Sequence, residues 1–150
     1  AEELIALLIC ERGLPVSKVK TAALLWPDSE ENRAMDSLYK TIRHIQNFCV
    51  DGVRVPIIST RRSLQLDVSD IDLDTEAFLR LYKSGNQEDW EQAEELYRGA
   101  LFLDGYYDWI SQYEAYFDVR YLELLSRLTD YYSFIGNNNL AQYYKNKANE

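Results

Sequence analysis

One histidine and two cysteines, Cys10 and Cys49, are all that the 150 residues offer to a His/Cys metal site. A zinc site needs three or four His and Cys ligands at close spacing, and the two cysteines sit among apolar residues with no such spacing. A Cys–His dyad would have only His44 to draw on. Free cysteines in apolar surroundings behave as small buried hydrophobes, and their presence as thiols points to a reducing, cytoplasmic setting. No apolar run approaches the ~20 residues that cross a bilayer, so no membrane partner is expected. No basic, apolar and small-residue leader opens the chain. It begins with Ala1 and a helix almost at once, which reads as a piece of a longer protein. Gly-rich phosphate loops and nucleophile elbows are also missing. The carboxylate pairs Asp72/Asp74 and Glu94/Glu95 are explained by solvated acidic faces, because adjacent helical residues do not converge. No catalytic residue, metal or other cofactor is therefore assigned, and an enzyme is not expected.

Positive charge is scarce too, and unevenly placed. Residues 1–70 hold nine Lys and Arg against ten Asp and Glu, whereas residues 71–150 hold seven against fifteen. Aromatic residues divide the same way: only Trp26, Tyr39 and Phe48 of the twenty lie in the first part. Two modules with different partners are implied, 1–70 and 71–150, with a seam near Asp67–Asp74. The acidic module should repel a polyanion, so any nucleic-acid contact belongs to the first.

The stretch Glu31–Phe48, ENRAMDSLYKTIRHIQNF, is read as one amphipathic helix. At 100° per residue, Ala34, Met35, Leu38, Ile42 and Ile45 share one face. Arg33, Asp36, Lys40, Arg43 and Asn47 occupy the other, flanked by Ser37 and His44. Cations that grip phosphate or guanine, with amides and hydroxyls that read base edges, are the side chains of DNA recognition. An isolated helix of this pattern would be read as having an ordinary solvated face; its neighbours shift that balance.

Glu2 to Arg12 forms an apolar-sided helix stopped by Gly13 and turned by Leu14-Pro15. Ser17 is an N-cap for Lys18 to Trp26, whose expected inward face is Val19, Ala22, Ala23 and Trp26. Pro27 ends it, and Asp28 with Glu31 has capping-box spacing. Three helices on very short turns give a helix-turn-helix layout, the last helix lying in the major groove. After Phe48 the pattern alternates. Val53, Val55, Ile57 and Ile58, then Leu64, Leu66 and Val68, predict a β-hairpin with Arg61 and Arg62 near its tip, suited to backbone or minor-groove contact. Its alternative is a solubilising turn.

These features carry a resemblance. The Gly13-x-Pro15-Val16-Ser17 turn, the Leu25-Trp26-Pro27 helix end, the Glu31-Asn32 opening and Ile58-x-Thr60-Arg61 resemble the OmpR/PhoB class of winged-helix DNA-binding domain. They are most similar to the version in SARP-type bacterial transcriptional activators. The resemblance covers residues 3–68 and implies double-stranded DNA as partner. Two departures stand out: the family carries a small sheet before its first helix, and its wing has glycines and an aromatic where this chain has Arg62-Ser63-Leu64.

In the second module, helices are expected over Thr75–Ser84 (Phe78, Leu81 and Tyr82 inward) and Glu88–Ala100 (Trp90, Ala93, Leu96, Tyr97 and Ala100). Leu101–Asp108 is expected to be irregular. A long helix, Trp109–Ile135, carries the stripe Tyr113, Phe117, Tyr121, Leu124, Leu128, Tyr131, Ile135. Gly136 ends it, and Leu140–Asn149 follows with Ala141, Tyr144 and Ala148 inward. Leu128, Tyr132, Gly136, Ala141 and Ala148 have tetratricopeptide (TPR) spacing, and Ala93 and Ala100 repeat its seven-residue step. The run from Tyr97-Arg98-Gly99 through Asp108-Trp109 resembles the bacterial transcriptional activator domain, which follows the winged helix in the SARP family. The resemblance stops mid-array, which again reads as truncation.

The expected fold is thus mainly α: a winged helix-turn-helix of three helices plus a C-terminal hairpin wing, then a TPR-like helical array. The expected function is a DNA-binding transcriptional activator, or response-regulator output region. Arg33, Asp36, Ser37, Lys40, Arg43, His44, Asn47, Arg61 and Arg62 would be its DNA-binding residues. The helical module would make a homodimer or touch RNA polymerase subunits, as the resemblance implies. The alternative is a protein-interaction module on a winged helix that has lost DNA, which the net charge of −9 favours.

Overall fold

A computed structural model describes residues 1–98 and 107–150. The chain is mainly helical with a small antiparallel sheet. It divides into two compact units, Ala1–Leu73 and Asp74–Glu150. No helix among the described residues is long and apolar enough to cross a membrane.

In the first unit, α1 (Glu2–Cys10) buries Leu4, Leu7, Leu8 and Cys10. It ends through Arg12 at φ 58° and Gly13 at φ 84°. A Cβ on Gly13 would lie 2.6 Å from Val68 Cγ2, so glycine is needed there for space as well as for its left-handed backbone. β1 (Val16–Ser17) follows, then α2 (Lys18–Leu25) and α3 (Glu31–Asn47). The later strands are β2 (Cys49–Val50), β3 (Val53–Arg54), β4 (Ile57–Ser59) and β5 (Ser63–Leu66). The main sheet runs β1-β5-β4, antiparallel throughout, with Val16 opposite Leu64 and Ile58 opposite Gln65. Alternation along β5 turns Leu64 and Leu66 into the core. There they meet Leu4, Leu8, Ala22, Ala34, Leu38, Ile42 and Ile45.

Three details of this unit correct the sequence reading. First, α2 does not turn Val19 and Ala23 inward: Val19 is 52% exposed and Ala23 is exposed, whereas Trp26, just past the helix end, is half-buried against the core as expected. Its buried residues are Lys18, Thr21 and Ala22. Ser17 is both the end of β1 and the N-cap, accepting from Lys20 N at 3.3 Å, so strand pairing fixes the rotation of the helix. Thr21 can be buried because its hydroxyl donates to Ser17 O at 2.7 Å. Second, Asp28 and Glu31 form no capping box. A turn closed by Ser29 N to Trp26 O takes up Asp28, and Glu30 becomes an N-cap with no side-chain bond. Third, Val53 and Val55 do not belong to the hairpin strand. β2 and β3 form a separate ribbon around Asp51 and Gly52, both at positive φ. Pro56, which has no N–H to give a ladder, separates β3 from β4.

The second unit holds α4 (Asp74–Lys83), α5 (Gln87–Arg98), a 3₁₀ turn (Asp108–Ile110), α6 (Ser111–Phe134) and α7 (Asn138–Ala148). The long helix therefore starts after, not at, Trp109. Phe78, Leu79, Ala93, Phe117, Leu124, Leu125, Leu128, Tyr132, Ala141 and Tyr144 form one core. Each such burial contributes about 1.5–3 kcal/mol for the larger apolar side chains. Gly136, at φ 82°, ends α6, and Asn137 caps α7 by accepting from Leu140 N at 3.2 Å. Two expected inward residues face solvent: Ile135 is 52% exposed, because the helix has already ended, and Ala148 is exposed in the last turn of α7. Residues 99–106, with Ala100 of the seven-residue alanine step and most of the stretch 101–108 expected to be irregular, lie outside the described residues.

Candidate nucleic-acid interface

α3 separates its two faces cleanly. Ala34, Leu38, Ile42 and Ile45 are buried, and Met35 is half-buried against them. Arg33, Asp36, Lys40, Arg43, His44 and Asn47 are exposed. Ser37 is half-buried, and its carbonyl accepts from Thr41 Oγ1 at 2.8 Å. At 100° per residue these seven span an arc of about 120°, opposite the buried stripe. From Arg33 to Asn47 the face is about 21 Å long at 1.5 Å per residue. Glu31 in the first turn suits the positive end of the helix dipole. Among the described residues, Arg33, Lys40 and Arg43 form no ion pair, so their charge is available to a ligand. His44 lies to one side, its ring 6.3 Å from that of Phe48, beside a cavity of about 230 Å³ lined also by Ile5, Ile45 and Val55.

Arg61 and Arg62 are exposed in the turn between β4 and β5. The turn is clasped by Thr60 and Ser63: Thr60 N donates to Ser63 O at 2.9 Å, and Ser63 N donates to Thr60 Oγ1 at 3.0 Å. It is also tied to α2. Lys18 N donates to Arg62 O at 2.9 Å, and Lys18 Nζ donates to Thr60 O. The same ammonium lies 5.3 Å from the centre of the Tyr39 ring on α3. Sequence reasoning missed Lys18, which is only 5% exposed. The available signal was its i, i+3, i+4 spacing to Thr21 and Ala22 directly after the N-cap Ser17.

The other candidate chemistry disperses. Glu94 is buried and bonded to Lys147, while Glu95 is exposed, so the pair does not converge. Asp72 and Asp74 are both exposed. Cys10 is buried, but Cys49, between Phe48 and Val50, is exposed in the β2–β3 ribbon rather than buried.

Comparison with protein-family models, curated proteins and solved structures found no match to this chain.

Proposed function

We propose that the first unit is a winged helix-turn-helix that binds double-stranded DNA. In this reading α3 enters the major groove and the β4–β5 hairpin is the wing. The chain would be the output region of a SARP-type bacterial transcriptional activator. Its second unit, a TPR-like array, would serve dimer formation or contact with RNA polymerase. The supporting observation is the outward face of α3, where Arg33, Lys40 and Arg43 are exposed and unpaired among the described residues in a chain of net charge −9. A helix fits a major groove about 12 Å wide, and this face pairs cations for phosphate with Asn47 and Ser37 for base edges. No bond-making step is assigned to it.

A second reading, protein docking through a winged helix without DNA, is favoured by another observation. Phe48, Val50 and Val53 are 52%, 53% and 70% exposed around an apolar groove of about 380 Å³. A gel-shift assay separates the two. The whole chain should retard duplex DNA, with log K falling by about 0.9 per phosphate neutralised as log salt rises. The Arg33→Ala/Lys40→Ala/Arg43→Ala variant should lose about 2.7 from that slope. Equal behaviour of the two proteins would favour docking.

A further inference from the structure

We infer that Lys18 is a positioning residue for the wing, holding the Arg61–Arg62 turn from both ends so that the two arginines meet the DNA backbone in one fixed orientation. This rests on the DNA-binding reading above.

The turn cannot hold itself in the usual way. Two-residue hairpin loops favour residues at positive φ, typically Asn-Gly or Gly. Neither Arg61 nor Arg62 has positive φ. Nor does Ser63 N close the turn on the Thr60 carbonyl; it donates to the Thr60 hydroxyl instead. The Thr60 carbonyl is thereby left for Lys18 Nζ, and the Arg62 carbonyl takes Lys18 N. One residue thus satisfies the carbonyl on each side of Arg61, using both its nitrogens.

Lys18 is an expensive choice for that place. Lysine is almost never fully buried unless paired, and its ammonium has no carboxylate partner among the described residues. Its compensation is the Thr60 carbonyl and the face of Tyr39. Core packing alone would be served by Met or Leu at position 18. What Lys18 adds is a link between the wing turn and the helix that carries Arg43, since Tyr39 and Arg43 are i, i+4 neighbours on α3. The missing glycines of this wing and the buried lysine are then two aspects of one arrangement.

The test uses the whole chain and a mixed-sequence DNA duplex. Lys18→Met should weaken binding by roughly tenfold, about the cost of ordering one residue's backbone on binding. Lys18→Arg, whose guanidinium can still reach Thr60, should restore it. In an Arg61→Ala/Arg62→Ala background, Lys18→Met should have no further effect. Without DNA, NMR relaxation should show the amides of Arg61 and Arg62 falling from order parameters near 0.85 to below about 0.6 in Lys18→Met. Lys18→Gln, polar but too short to reach Thr60, replaces Lys18→Met if that variant does not fold. An equally rigid turn in the variant, or an equal loss of affinity with and without the two arginines, would overturn the role of Lys18 alone. Failure of the wild type to bind the duplex would overturn the DNA reading and this role together.

Discussion

Replacing Lys147 by Met should unlock the second unit. The Lys147 ammonium bonds Glu94 Oε1, with the two side chains 11% and 3% exposed, and ties α7 to α5 across 53 residues of chain. Tyr121 OH donates to the same carboxylate oxygen at 3.3 Å, and the ammonium lies 4.5 Å from the Tyr143 ring centre. Deleting one member of a buried ion pair costs about 3–5 kcal/mol, because the other stays desolvated. Lys147 lies near the end of α7 and is partly reached by water, which puts the expected loss near 3 kcal/mol, the lower end of that range. A domain's whole stability is about 5–15 kcal/mol, so this is a large fraction. Removing both partners, as Glu94→Leu/Lys147→Met, should recover most of the loss, since apolar replacement of a whole buried pair is often neutral or stabilising. Urea unfolding in a Trp26→Phe background reads this unit selectively, because Trp90 and Trp109 both belong to it. A Lys147→Met variant within about 0.5 kcal/mol of the parent, or a double variant whose cost equals the sum of the singles, would refute the reasoning.

Two other outcomes follow from local geometry. Gly13→Ala should destabilise the first unit by about 2 kcal/mol from its left-handed backbone alone, with more from the contact with Val68, and Val68→Ala should return part of it; amide hydrogen exchange at the buried residues of α1 and α3 reads both. The second unit should weaken as pH rises from about 10 to 12. Burial, and then the hydrogen bond to Glu91, push the Tyr132 hydroxyl up to about 12, and burial followed by the Glu91 charge does the same at Tyr144. Both folded values exceed the ordinary 10, so their contribution is complete below pH 10 and is lost as pH climbs through 12. Tyr132→Phe should flatten that decline in a series of thermal melts.

What could be read from the sequence was periodicity over long segments. The α3 stripe of Ala34, Leu38, Ile42 and Ile45 runs about three turns, long enough for its phase to be unambiguous, and the structure buries those residues. In α2, the apolar pair Val19 and Ala23 lies on one face, whereas the face that the structure buries carries Lys18 and Thr21 beside Ala22. Strand pairing at Ser17 chose between them, a tertiary effect invisible in local spacing. The ribbon at Cys49–Arg54 was legible and passed over: Asp51-Gly52 between β-branched residues is a strong short-range hairpin signal. Candidate site residues were found where exposure follows from helical phase, as at Arg33, Lys40 and Arg43. Lys18 was not found because its importance lies in a carbonyl 42 residues away, which the local spacing to Thr21 and Ala22 that marks its burial does not reveal.

The strand order β1-β5-β4 has a consequence for synthesis. β5, the middle strand, is the last to be made, and its partner β1 lies before α2 and α3. Until Leu64 and Leu66 leave the ribosome, the apolar stripe of α3 has no sheet to rest on, however complete the helix already is. The first unit should therefore close in one late step, as non-local pairing requires. A nascent chain ending before Ser63 would expose Leu38 and Ile42 to whatever chaperone is at hand.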